Sequence, residues 1–230
     1  MGQHIGIVGC SAPGAALCYE SICTEAAKLT TENPKPPEVS LHTHPFSEYM
    51  RHIDADNWNA VAELMLSSAQ KLALIGADFL IAPCNTIHNA FEMVELNSPL
   101  PWLHIAEEVA LEAKRLGLRQ VALIGTTLMM EGSVYPGKFA QVGVECMTPR
   151  EDERKLINRI IFEQLVYGKF TVEARSYVLS VVERLRGEGC DAVGMCCTEL
   201  PLLLGAEDVA IPLLDSTRVL ASAALCRAIS

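Results

Sequence analysis

Runs that are apolar at nearly every position alternate along this chain with longer stretches where apolar residues recur every three or four positions. The first kind reads as buried parallel strands and the second as amphipathic helices. His4 to Gly9 is a first strand, followed by a loop through Pro13 and Gly14 and a helix over about Ala15 to Leu29. Thr30 to Glu38, with Pro34, Pro36 and Pro37, reads as an exposed connection. Val39 to Leu41 starts a second strand. Val61, Leu64, Met65, Ser68 and Leu72 define one face of a helix over Asp56 to Ile75, with Asp54 or Asp56 as its N-cap. Gly76 closes that helix and Asp78 to Ala82 is the next strand. Trp102 to Ile105 is a short strand, and Ala106 to Leu116 a helix ended by Gly117.

The pattern then starts again. Gln120 to Gly125 repeats His4 to Gly9 in character, and helices follow over Glu151 to Val166 and Val172 to Arg186. Gly189-Cys190-Asp191, leading into Ala192 to Met195, repeats Gly76-Ala77-Asp78 and the strand behind it. The offset from Gly9 to Gly125 nearly equals that from Cys84 to Cys197, and each is about half the chain. Two similar βαβ-type halves are therefore expected, each presenting one cysteine at the carboxyl end of a parallel strand. Halves that face each other would set the two thiols on opposite sides of one cleft.

Composition narrows the function classes. The chain has 230 residues, half of them apolar, so core material is ample. No apolar stretch reaches the roughly 20 residues that span a bilayer, and no basic segment precedes an apolar signal core at Met1 to Gly9. The expected protein is soluble. A formal charge of −10 argues against nucleic acid and anionic membrane surfaces as partners. The nine cysteines are an odd number without regular spacing, which reads as reduced thiols in the cytoplasm rather than a disulfide framework.

Two of those cysteines carry chemistry. Ile81-Ala82-Pro83-Cys84-Asn85-Thr86-Ile87-His88 is an apolar run that ends at a thiol and two small polar residues, where strand passes into the first turn of a helix. Backbone N–H groups and the positive end of a helix dipole favour a thiolate at such a point. Cys197-Thr198-Glu199-Leu200 echoes it half a chain later. Cys84 and His88 share a helix face, which is half of a zinc site, but no Cys-x-x-Cys pair completes it.

Cys84-Asn85-Thr86-x-His88 and Cys197-Thr198-Glu199-Leu200, with Gly9, Pro13 and Gly125-Thr126, make the chain resemble the aspartate/glutamate racemase family, in a superfamily with glutamate and hydantoin racemases. The likeness extends through Asp152-Glu153-Arg154, Ile160 to Glu163 and Leu213 to Thr217. It implies an α/β fold of two similar subdomains, each a parallel flavodoxin-like sheet flanked by helices. They would be related by pseudo-two-fold symmetry, with the active site in the cleft between them. The expected subdomains are residues 1–104 with 213–230, carrying Cys84, and residues 105–212, carrying Cys197.

The implied activity is isomerisation of aspartate or glutamate without pyridoxal phosphate or any other cofactor, in a homodimer. Cys84 and Cys197 would be the acid/base pair, because one group cannot reach both faces of Cα. Asn85, Thr86 and Thr198 would donate to the α-carboxylate. Ser11, from the early loop, and Thr126 would also face the substrate. Arg51 is the candidate cation for the distal carboxylate, in competition with His42, His44 and His52. No metal site is expected. The sequence departs from the family at Cys10 and Cys196, where glycine is common among relatives, and a lysine that some members use for substrate carboxylate is not located. Two alternatives remain: a maleate cis-trans isomerase-like enzyme of the same superfamily, and a non-catalytic amino-acid-binding protein.

Overall fold

In the computed structural model, which describes residues 2–28 and 36–230, the chain divides into two units. The first unit comprises residues 1–105 and 217–230, and the second residues 106–216. The expected proline-rich connection at Thr30 to Glu38 falls largely outside the described residues.

The first unit is built on a four-stranded parallel sheet of β1 (Ile5–Gly9), β2 (Val39–Thr43), β3 (Phe79–Ile81) and β4 (Trp102–Leu103), in the order β2-β1-β3-β4. Helices α1 (Ala12–Lys28), α2 (Phe46–Asp54), α3 (Trp58–Leu74) and α4 (Phe91–Asn97) connect these strands. The two central strands are buried along their whole length, which explains why they read as unbroken apolar runs.

The second unit begins in α5 (Ile105–Arg115) and repeats that plan. Its parallel sheet is formed by β5 (Gln120–Gly125), β6 (Glu145–Met147), β7 (Ala192–Cys196) and β8 (Leu213–Asp215), in the order β6-β5-β7-β8. Its further helices are α6 (Thr127–Glu131), α7 (Pro136–Val142), α8 (Glu151–Glu163), α9 (Val172–Gly187) and the short α10 (Leu200–Leu203). The last helix, α11 (Ser216–Ile229), returns to the first unit. There its Leu220, Ala221, Ala224 and Ala228 pack with Ile5, Ile7, Ile22 and Phe79. Residues 213–215, expected in the first subdomain, complete the second sheet instead, because β8 pairs with β7 and the chain leaves only at α11.

One device repeated in the sequence has a clear structural cause. Gly76 and Gly189 both lie in the left-handed region, at φ +92° and +109°, where each ends a helix and turns the chain back to the sheet. The aspartate two residues later then clamps the start of the neighbouring strand. Asp78 Oδ2 accepts the His4 N–H at 2.6 Å, and the Asp78 N–H donates to the His4 carbonyl at 2.8 Å. Asp191 accepts the Arg119 and Gln120 N–H groups at 2.8 and 3.1 Å and donates to the Gln120 carbonyl at 2.9 Å. The Gly-x-Asp repeat therefore fixes the β1–β3 and β5–β7 registers.

Several element boundaries differ from expectation. Helix α1 takes in Pro13 and Gly14, because Ser11 Oγ accepts the Gly14 N–H at 3.3 Å and proline is tolerated in a first helical turn. Helix α3 is capped by Asn57, whose Oδ1 accepts the Ala60 N–H at 3.2 Å, and not by Asp54 or Asp56. Asp56 is a non-glycine residue at positive φ (52°), and its carboxylate takes the Trp58 indole N–H instead. Helix α8 stops at Glu163 and passes into a 3-10 turn over Leu165–Tyr167.

Candidate active site

Apart from Arg51, the candidate residues of each unit lie just beyond the carboxyl ends of the two central strands. In the first, β1 ends at Gly9 and leads to Ser11, and β3 ends at Ile81 and leads to Cys84, Asn85 and Thr86. In the second, β5 leads to Thr126, and β7 ends at Cys196 and leads directly to Cys197 and Thr198. Both Cys84 and Cys197 are half-buried, and neither is in a disulfide. Ser11 and Thr126 occupy corresponding places. Thr126 caps α6, its Oγ1 accepting the Met129 N–H at 3.4 Å, much as Ser11 accepts the N–H of Gly14. A hydroxyl oxygen that accepts in this way keeps its own proton to give.

The turn after β3 is shaped by His88. Its Nδ1 donates to the Cys84 carbonyl at 2.8 Å, and its Nε2 accepts the Ile105 N–H at 3.4 Å. A carbonyl only accepts, so one neutral tautomer of the ring satisfies both bonds. The Cys84 carbonyl is the acceptor that an α-helical His88 N–H would use. That N–H turns instead to the Asn85 carbonyl at 3.2 Å, and the segment Thr86–Ala90 is a 3-10 helix. The expected α-helical first turn after Cys84 is corrected accordingly. The ring stacks on Phe91 at 5.4 Å between centroids and meets His104 edge-on at 4.7 Å. With Nδ1 directed at a carbonyl, His88 is not arranged as a zinc partner for Cys84.

Cys84 packs against the apolar cluster that contains Val8, Cys10, Tyr49 and Ile87. The Tyr49 hydroxyl is buried without a hydrogen-bond partner among the described residues, although it comes near Ser68. Burial, with the Cys10 and Cys84 thiols nearby, pushes it well above the usual tyrosine range. Cys10, where a side chain replaces a family glycine, is buried in this core at a backbone conformation that needs no positive φ. It narrows nothing by strain.

Arg51 lies on α2, which starts beyond the carboxyl end of β2. It is exposed, and its Nη2 donates to His52 Nε2 at 3.1 Å. One of its competitors is otherwise engaged. His42 Nε2 receives Lys71 Nζ at 3.1 Å while its Nδ1 meets Ser68 Oγ at 2.9 Å, and Ser68 passes its proton to the Leu64 carbonyl. Burial, and secondarily the Lys71 charge, lower the pKa of both His42 and His44. Neutral imidazoles are poor anchors for a carboxylate, which favours Arg51 over either.

The turn after β7 is arranged differently. Cys197 Sγ donates to Glu199 Oε2 at 3.0 Å, and Thr198 Oγ1 donates to the same oxygen at 2.8 Å. The Thr198 hydroxyl proton is thus committed to Glu199. Glu199 is only 8% exposed. It is the residue that sequence reasoning passed over, although a carboxylate two positions after the thiol was the available signal. Cys196, next to Cys197, is 2% exposed and donates to the Gly194 carbonyl at 3.6 Å. Burial pushes its thiol up to about 12, so it behaves as a small core residue.

Comparison with known proteins shows the family. The Asp/Glu/hydantoin racemase family model matches residues 5–224. A candidate Asp/Glu racemase from Yersinia pestis superposes with a TM-score of 0.91 at 29% identity, over 99% of this chain and 100% of that one. An aspartate racemase homologue from Pyrococcus horikoshii OT3 gives 0.84 at 27% identity, over 100% of both chains. The broad specificity amino-acid racemase RacX of Bacillus subtilis (strain 168) is 25% identical over 186 residues, which is 80% of this chain and 79% of RacX. With the family model matching nearly end to end on a two-unit parallel α/β frame, the chain belongs to the Asp/Glu/hydantoin racemase family.

Proposed function

We propose that the protein is a cofactor-independent racemase that interconverts L- and D-aspartate, L- and D-glutamate, or both. The observation that carries this reading is the paired cysteine placement. Two sheets of the same strand order each put one half-buried thiol beyond the third strand of the unit. Racemisation needs one group to take the Cα proton and a second to deliver another on the opposite face. In one direction the Cys84 thiolate forms an S–H bond as the Cα–H bond breaks. The carbanion takes the Cys197 proton and leaves that sulfur as thiolate. In the other direction the roles exchange. The reading requires that both sulfurs reach one carbon, on opposite faces.

Charge developing at Cα spreads onto the α-carboxylate, for which Asn85, Thr86 and Thr198 are the proposed donors, with backbone N–H serving where a hydroxyl is engaged. Ser11 and Thr126 are proposed to donate their remaining hydroxyl protons to the substrate, and Arg51 to hold the distal carboxylate of an acidic amino acid. The likeness to RacX supports a substrate panel wider than the acidic amino acids.

The test is incubation with single enantiomers of a panel of amino acids in D₂O, read by chiral chromatography and mass spectrometry. Inversion with one deuterium at Cα of aspartate or glutamate is the expected result. Fumarate from maleate, without inversion of any amino acid, would replace this reading with the isomerase. Binding of an amino acid without turnover, unchanged by substitution of either cysteine, would replace it with a binding protein.

A further inference from the structure

The two candidate sulfurs differ in what lies against them, and the second has a partner the two-base scheme does not use. Glu199 is a carboxylate removed from water, with no ion-pair partner among the described residues. Its Oε2 instead accepts the Cys197 thiol and the Thr198 hydroxyl together. A desolvated carboxylate needs donors, and here one of the two is the reactive S–H itself.

We propose that Glu199 is a positioning residue that holds Cys197 in its thiol form in the resting protein, so that Cys197 begins as proton donor and Cys84 as proton acceptor. A thiolate at 3.0 Å from Glu199 Oε2 would set two like charges side by side in a site of restricted solvent access. One proton shared between sulfur and oxygen removes that repulsion. When Cys197 gives its proton to the carbanion, the new thiolate faces the carboxylate. The repulsion then persists until a proton returns from the next substrate or from water. Other titratable groups near Cys196 of β7 are Asp215 from β8, Cys146 from β6 and Tyr135, which precedes α7. Tyr135 lies near Cys196, Ser216 and Asp215, and burial raises its pKa well above the ordinary value.

The consequence for turnover rests on the racemase reading; the hydrogen-bond chemistry does not. Enantiomers have equal free energy in water, so kcat/KM must be the same in both directions. The inequality of the two sulfurs therefore shows in kcat and KM separately, with the enantiomer deprotonated by Cys84 bound in the majority protonation state.

The experiment follows the pH dependence of iodoacetamide incorporation at Cys197 by peptide mass spectrometry in the folded full-length protein. The exposed Cys23 and Cys226 serve as internal controls. In Glu199→Gln the carboxylate charge is lost and an amide donor faces the sulfur, so the Cys197 midpoint falls by roughly one to two pH units. The controls stay in place. Thr198→Val removes the competing donor from Oε2, strengthens the hold on the thiol and moves the midpoint upward. An unchanged or raised midpoint in folded Glu199→Gln would overturn the proposal, as would a fall in Thr198→Val, which serves if the first variant does not fold. A shifted midpoint in a protein that racemises nothing would leave the pair standing and remove the racemase reading. Unchanged midpoints beside intact racemisation would do the reverse.

Discussion

The turns that follow β3 and β7 arise from the same frame and part company within a few residues. Both strands are entered through a left-handed glycine and a clamping aspartate, and both release a half-buried cysteine at their carboxyl end. In the first unit the polar neighbour, His88, acts on the backbone of the cysteine by holding its carbonyl. In the second the polar neighbour, Glu199, acts on the sulfur itself. A repeated fold has reproduced the position of a thiol and left each copy to set its surroundings separately. Position alone would make the two cysteines interchangeable, but their neighbours make them different.

The largest test of that difference is to remove each sulfur. Cys84→Ala and Cys197→Ala are each expected to lower kcat/KM for racemisation by about a thousandfold, the scale of losing one acid/base group. Each should still exchange the Cα proton of one enantiomer for deuterium without inversion, because the remaining sulfur can take and return a proton on its own face. The enantiomer that exchanges should be opposite in the two variants. Exchange of both enantiomers at parental rates in either variant would show that the sulfurs do not divide the work.

His88→Ala tests the backbone side of the comparison. It removes one bond from the Cys84 carbonyl and one from the Ile105 N–H, together with the packing on Phe91 and His104. A loss of about 1–3 kcal/mol in unfolding free energy is expected from urea denaturation. The segment after Cys84 should then be free to take α-helical bonding, and racemisation should fall with it. A variant as stable as the parent would show that the 3-10 turn is set by something other than the ring.

A smaller effect is expected at Arg51. Arg51→Ala should raise KM for aspartate or glutamate about tenfold, with kcat nearly unchanged, the scale of one charge-assisted hydrogen bond in an accessible place. An unaltered KM for both would take Arg51 out of the site and reopen the question for His52, the one competitor next to it.

Much of this molecule was legible because its strands are buried on both faces. Such strands show as apolar runs that need no partner to be seen, and their repetition gives the two-unit plan. Helix α2 was not legible in the same way, since Phe46 to Asp54 is short and buries only Tyr49 and Ile53. Asp56 misled because an aspartate before a helix looks like a cap, whereas its carboxylate is taken by the Trp58 indole. Cys84 and Cys197 were visible from their place after strands. Glu199 stood in plain view, but spacing does not tell whether a carboxylate turns toward its neighbour's sulfur or to solvent. The unit boundary at 216/217 depends on where α11 packs, which is a tertiary fact.

The comparison extends beyond the two turns, because all six histidines lie between His4 and His104, in the first unit. The second unit instead ties α8 and α9 together through ion pairs of Arg184, Glu153, Arg150 and Glu188. His42 and His44 have folded pKa values lowered by burial first and by the Lys71 charge second. Their unfolded forms take up protons near pH 6.5, before the folded forms do. The stability associated with them is present above that pH and is lost as pH falls toward the lowered folded values. The melting temperature is therefore expected to decline by a few degrees as pH falls below about 6.5. His42→Asn and His44→Asn should flatten that decline, whatever they do to stability at neutral pH. A slope unchanged in the double variant would mean that the acid sensitivity comes from groups other than this pair.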